Sequence, residues 1–237
     1  CEGDNTQVFK DMESGPEPST VTVQPVLTKQ PEPATEQNPI QVRNMAAQDV
    51  DFAVRMMVGG FRDKFEFAVG KSRIEATIQQ VANTFSRSPE VWHRCYVALY
   101  EGKLAGAMII VFHGDSVEDD FRCSESCSLL GCWGSSRLLC LFWSTQNSDV
   151  HAGDCYVDRI CVDEEYRGKG IGKAMLDRAE SVAREHGCTM MSLLVTQTNR
   201  AVGLYEREGY NIVTNRWSLC TWCMMGNAAF FRMEKQL

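Results

Sequence analysis

No run of about 18 or more apolar residues occurs, so the chain lacks the length of apolar helix that crosses a bilayer. The most apolar stretch, Ser128 to Trp143, is broken by Gly131, Gly134 and Arg137. The start lacks the basic flank and apolar centre of a secretory leader, which leaves the cytoplasm as the default expectation. A disulfide framework is missing too. The 11 cysteines are an odd number without regular spacing, and reduced thiols are expected in a domain of this size. The one C-x-x-C, Cys220 and Cys223, has no second pair, and Cys123, Cys127 and Cys132 have no histidines at ligand spacing. No metal site is predicted from them. Nor is there an excess of basic charge. The net charge is −7, which argues against a nucleic-acid surface.

What is present divides unevenly along the 237 residues. Residues 1–39 hold seven acids and two lysines and are rich in Pro, Glu, Gln and Thr. Such a segment buries too little apolar surface to offset its ordering entropy, and a disordered tail is expected. From Ile40 the pattern is that of a folded domain, 40–237. A strand is expected at Ile40–Asn44, then a helix from a cap at Asp49 to Val58 with Gly59 and Gly60 at its end. Ile74, Ile78, Val81 and Phe85 recur at helical spacing and predict a helix over Ser72–Phe85. Arg94–Tyr100 and Leu104–Phe112 read as strands of a hairpin turning at Glu101-Gly102-Lys103. Residues 114–150 read as an insertion carrying one amphipathic helix, whose apolar face must pack on the domain, on a substrate or in a homodimer. Strands at Cys155–Val162 and Met190–Val195 flank a helix over Gly170–His186. A helix over Arg200–Glu208, a strand that begins at Tyr210 to Val213 and a last strand over Phe230 to Glu234 close the order. The βαβ spacing implies a neighbouring parallel pair.

The chemistry concentrates at Arg167-Gly168-Lys169-Gly170-Ile171-Gly172, which follows an apolar strand and opens a helix. Glycines there admit close approach of a ligand to the backbone. Free amides and the positive dipole end of the helix make an anion site suited to a diphosphate, with Arg167 and Lys169 at its rim. Two other phosphate signatures are excluded. A dinucleotide G-x-G-x-x-G fails because Lys173 or Met175 stands at the third glycine. A P-loop fails because Gly172-Lys173 is followed by Ala174.

About thirty residues on, Asn199-Arg200-Ala201-Val202-Gly203-Leu204-Tyr205 opens a second helix, with Asn199 as a natural cap and Gly209 as its end. The strand ending Ile160-Cys161-Val162, the turn Arg167–Gly172, and then Asn199, Ala201, Leu204-Tyr205 and Gly209 together resemble the GCN5-related N-acetyltransferase (GNAT) superfamily. The resemblance covers roughly Ile40 to Leu237, with its motifs in the second half. It implies an α/β fold with a mixed, largely antiparallel sheet of six or seven strands, a parallel central pair and flanking helices. It also implies acetyl-CoA as acyl donor. Backbone groups around Ile160, Cys161 and Val162 would then bond its pantetheine arm. Amides of Arg167, Gly168, Lys169, Gly170, Ile171 and Gly172 would hold its diphosphate, with Asn199, Ala201 and Tyr205 beside the rest.

The family's chemistry is attack of an amine on the thioester. A free alkyl amine has a pKa near ~10.4 and must lose a proton first. A carboxylate can relay that proton, and a phenol with a pKa of about 10 can protonate the leaving thiolate. Tyr205 is the expected acid. The resemblance implies Asp158 as the base, since spermidine/spermine acetyltransferase-like members carry an acid at the similar place. Period two would put it on one strand face with Ile160, within reach of the cleft, and a pairing with Arg159 or a neighbouring strand is the alternative. Asp154 is the reserve. Cys161 is read as a small core residue rather than a nucleophile. The acceptor is expected to be a small-molecule amine. A peptide acceptor, through a protein N-terminus or lysine, is one alternative. A non-catalytic acyl-CoA-binding module is another.

Overall fold

The computed structural model describes residues 38–115, 123–145, 150–217 and 229–237. The acidic segment up to residue 37, the Glu118–Asp120 acids and the Cys220/Cys223 pair lie outside them. Among the described residues one mixed sheet carries seven strands. They are β1 (Ile40–Asn44), β2 (Cys95–Tyr100), β3 (Lys103–Phe112), β4 (Asp154–Val162), β5 (Met190–Thr196), β6 (Asn211–Trp217) and β7 (Ala229–Gln236). Their order is β1-β2-β3-β4-β5-β7-β6, with β4 and β5 parallel and the other pairs antiparallel. The last strand therefore lies between the two that precede it.

Six helices flank the sheet among the described residues: α1 (Val50–Gly60), α2 (Arg62–Val69), α3 (Ile74–Arg87), α4 (Cys123–Thr145), α5 (Ile171–Glu185) and α6 (Val202–Arg207). None is long and apolar enough to cross a membrane. Alternation along the strands separates two cores. Cys95, Val97, Ala107 and Ile109 pack under α1 to α4, while Tyr96, Ala98, Met108 and Ile110 face α5 and α6. On α5 the stripe Ile171, Met175, Leu176, Ala179, Val182 and Ala183 is buried at helical spacing. Each large aliphatic buried there contributes about 1.5–3 kcal/mol.

Several expectations are corrected in detail. Asp49 does not cap α1 from outside. Its carboxylate accepts the Ala46 N–H at 2.8 Å and both Nη groups of Arg43 at 2.6 and 3.0 Å. The Arg43 hydrogen bonds hold that buried carboxyl below the usual carboxylate range, and they tie β1 to the start of α1. Gly59 and Gly60 do not end the helical region, because α2 follows after the single non-helical residue Phe61. The insertion carries not one smooth helix but two pieces joined at Gly131, whose φ of 72° is non-helical. Ser126 Oγ donates to Ser135 Oγ at 2.9 Å across that kink, and Leu130 and Leu138 anchor it in the core. The second-last strand runs on to Trp217, four residues beyond Val213.

Candidate active site

The sheet opens between its two parallel strands. β4 and β5 pair from Asp154↔Met190 to Val157↔Leu193 and no further. Beyond that point β5 continues against β7, and β4 continues against β3. The split coincides with a bulge. Ile110 pairs with Val157 and Ile109 with Arg159, so Asp158 is an extra residue in β4. A bulge bends its strand and sharpens the local twist. It also shifts the alternation. Cys155 and Val157 face the α5 core before it, and Ile160 and Val162 face that core after it. Counting by twos across Asp158 therefore fails. Asp158 does not share a face with Ile160. It sits beside Arg159, at 3.5 Å, and both residues act electrostatically on Cys95 in the opposite core.

The edge of β4 that β5 abandons presents backbone groups without a strand partner, and such groups need one from elsewhere. A cleft of about 1120 Å³ fills the opening. That exceeds the ~300–1000 Å³ of an ordinary small-molecule pocket. Ile160, Cys161 and Val162 line it, as do Arg167, Gly168, Gly170, Ile171 and Gly172, and also Asn199, Ala201 and Tyr205. The two sequence motifs thus meet across one gap.

The glycine turn is built for close approach. Gly168 and Gly170 have φ of 78° and 83°, a region that costs a side-chain-bearing residue about 1–2 kcal/mol. Gly170 is the N-cap of α5, and no side chain caps that helix. Its first-turn amides lack helical acceptors, and the dipole adds positive character there. A Cβ at Gly168 would meet nothing within 4 Å, so its face is open. Gly172 packs inward, where a Cβ would come within 3.0 Å of Leu204 Cδ2. An extended ligand ending in a diphosphate fits these features: a free strand edge leads to an uncapped helix start.

The charged rim differs from expectation. Lys169 is absent from the cleft lining, and its ammonium lies over the rings of Tyr100 and Tyr166, 4.4 and 5.1 Å from their centroids. Arg167 is half committed to Glu164, at 2.9 Å. Asn199 Oδ1 accepts the Ala201 N–H at 2.9 Å, which fixes the approach to α6.

Tyr205 is buried against the cleft, edge-on to Tyr210 at 5.9 Å between ring centroids. Burial, and secondarily the neighbouring Cys161 thiol, raises its phenol well above the ordinary value, so it stays protonated at neutral pH. The Cys161 thiol is pushed up to about 11 by burial, against the opposing charges of Arg159, Arg167 and Lys64. A thiol so raised is a poor nucleophile at neutral pH. Asp154 is not in the cleft. It lies at the closed end of the β4–β5 pair, where Ser192 Oγ donates to it at 2.7 Å and Arg232 Nη2 approaches to 3.3 Å. Desolvation raises its pKa. This is an internal ion pair that staples β4, β5 and β7.

Sequence reasoning missed the other wall. Met56 and Gly60 come from α1, Lys64 from α2, Phe61 from between them, and Phe230 from β7. Gly60 lies so close to β4 that a Cβ would stand 2.5 Å from Cys161 Sγ. Nothing in the local sequence marks that contact.

Comparison with known proteins agrees with this architecture. A model of the acetyltransferase (GNAT) family matches residues 61–210. A mycothiol acetyltransferase of Propionibacterium freudenreichii is 40% identical over 63 residues, which cover 26% of this chain and 20% of that protein. The match thus spans about one fifth of that relative's length. Among solved structures, one acetyltransferase superposes with a TM-score of 0.51 and 21% identity, covering 83% of this chain and 98% of the other. Ard1 from Thermoplasma volcanium superposes with a TM-score of 0.50 and 15% identity, covering 84% and 99%. At such identities these structures speak for the fold alone. The family match extends over well more than half of the chain and takes in the opened strands, the glycine turn and the helix of Tyr205, so the chain belongs to the acetyltransferase (GNAT) family.

Proposed function

We propose that this protein is an acetyl-CoA-dependent N-acetyltransferase that acetylates the primary amine of a small molecule by direct attack. The observation that carries the reading is the parting of β4 from β5 beside an uncapped, glycine-led helix start. The β4 edge from Asp158 to Val162 offers backbone partners to an amide-bearing arm, and the start of α5 offers amides to a diphosphate. Acetyl-CoA held by these groups would supply the activated acyl carbon.

The chain's own residues then have distinct tasks. Asp158 reaches the cleft from the bulge and takes the proton of the incoming amine, directly or through water. Tyr205, kept protonated by burial, donates to the departing sulfur. The walls of Met56, Phe61 and Phe230 exclude water and give the amine's carbon skeleton an apolar seat. Cys161 contributes shape.

The test is a panel of polyamines, arylalkylamines, amino acids and short peptides, with acetyl-CoA and a free-thiol readout. Thiol release that depends on a small amine supports the reading. Faster turnover of peptides points to a protein acceptor. Tight calorimetric binding of acetyl-CoA with no amine turned over would make the domain a binding module instead.

A further inference from the structure

Between two fixed flanks, the glycine turn has one side chain with which to hold its shape. On one flank Arg167 is paired with Glu164 at 2.9 Å, and on the other Ile171 is 1% exposed in the second core. Between them Gly168 and Gly170 carry no side chain, and both sit in the left-handed region, at φ 78° and 83°. Glycine visits many other backbone states with little steric hindrance, so keeping two of them in one shape costs conformational entropy. The residue between the two glycines is Lys169.

The Lys169 side chain is directed off the cleft and onto the framework. Its ammonium lies 4.4 Å from the centroid of the Tyr100 ring and 5.1 Å from that of Tyr166. Both distances fall inside the ~6 Å over which a cation is drawn to a ring face. The two rings are 5.8 Å apart and tilted by 48°. Each is held from elsewhere. Tyr100 ends β2, in register with Ile40 of β1 and Lys103 of β3. Tyr166 closes the short turn Glu164–Tyr166, with its N–H donating to Asp163 O at 3.0 Å. Both tyrosines and Ile40 pack on the second core. Tyr166 lines the cleft, whereas Tyr100 and Lys169 do not.

We infer that Lys169 is a positioning residue: its ammonium, seated over Tyr100 and Tyr166, holds the Gly168–Gly170 turn in its left-handed shape before the ligand arrives. It acts on acetyl-CoA through that shape, not by touching the diphosphate. The inference rests on the acetyltransferase reading for its ligand and refines how the cradle is made. A lysine that swung onto the phosphates would have to leave both rings. Removing a ring would then leave binding unchanged or tighten it, whereas a clamp requires the opposite.

The experiment is calorimetry of acetyl-CoA on the native chain, Lys169→Met, Lys169→Arg, Tyr100→Leu and the double variant Lys169→Met/Tyr100→Leu, with urea unfolding to report that each is folded. Tyr100→Leu keeps the positive charge and every residue that lines the cleft. It should weaken binding about two- to fivefold, the size of one exposed cation–ring contact. Lys169→Met loses both contacts and should weaken binding about five- to thirtyfold. Lys169→Arg should stay within about twofold, since a guanidinium also seats over rings. In the double variant the Tyr100→Leu loss should vanish, because no ammonium is left for the ring to hold. In turnover the losses should appear in the KM for acetyl-CoA and not in kcat. Tyr100→Leu binding as tightly as the native chain would overturn the proposal, as would losses that multiply in the double variant. Backbone order parameters of residues 168–170 in the ligand-free protein should fall from roughly 0.85 towards 0.6 in both single variants. If the native chain binds no acetyl-CoA, the acetyltransferase reading fails separately. The order parameters then decide the clamp, with a fall in both variants supporting it and unchanged values refuting it.

Discussion

Replacing Gly170 with alanine puts a number on the cradle. Gly170 holds φ 83° and ψ 0° at the first position before α5. A new Cβ would lie 3.7 Å from Ile40 Cδ1, an ordinary contact, so no clash enters the estimate. What remains is backbone strain of about 1–2 kcal/mol. Against it stands a gain of about 0.4–1 kcal/mol from the stiffer unfolded chain. The net loss for the liganded protein relative to the unfolded chain is therefore about 1 kcal/mol. A thermodynamic cycle divides that loss between two measurements. If the turn stays left-handed in the free protein, the loss appears in unfolding, as a drop of about 2–4 °C in Tm, and acetyl-CoA affinity is unchanged. If the turn relaxes, stability falls less and the ligand must restore the strained form, with up to about fivefold weaker binding. Urea unfolding without ligand and calorimetry with acetyl-CoA give the two parts. A sum near zero, or a stabilised variant, would refute the claim that this turn must be left-handed to serve the ligand.

Three further predictions concern the chemistry. Tyr205→Phe should lower kcat by about 100-fold or more while sparing acetyl-CoA affinity. Because burial raises the phenol above its ordinary value, no alkaline fall in kcat from this group is expected below about pH 10, and a limb near pH 8 that vanishes in the variant would contradict the assignment. Asp158→Asn should lower kcat by about 100-fold with little change in acetyl-CoA binding, and rates within threefold of the native chain would remove Asp158 as base. Asp154→Asn should cost about 2 kcal/mol in urea unfolding by loosening Arg232, yet leave kcat within about twofold, and a large loss of kcat in folded protein would return Asp154 to the site.

Legibility followed the range of the interactions. The β2–β3 hairpin and the β4–α5–β5 unit were readable because alternation, helical stripes and the Gly168–Gly172 turn are local signals. α2 was not, because Gly59-Gly60 resembles a helix end and only the tertiary fit of Phe65, Ala68 and Val69 into the core shows otherwise. Lys64 was lost with it. The bulge at Asp158 left no local mark either. The period-two count from Asp158 to Ile160 ran across it and failed, because the phase between the two sides depends on pairing with β3. The motif residues on the glycine-turn side of the cleft were therefore legible, whereas the opposite wall was assembled from α1, α2, the residue between them and β7 by contacts distant in sequence.

The placement of β7 has a consequence for how the molecule comes into being. Among the described residues β6 pairs with β7 alone, and one whole side of β5 waits for the same strand. During synthesis, every earlier strand emerges before the one that joins them. Until Ala229–Gln236 arrives, β6 is unattached and β5 offers a bare hydrogen-bonding edge, the kind that recruits other chains. Loss of those eight residues would therefore do more than trim a terminus. It would leave the cleft without Phe230, β6 without a partner, and a half-sheet inclined to aggregate.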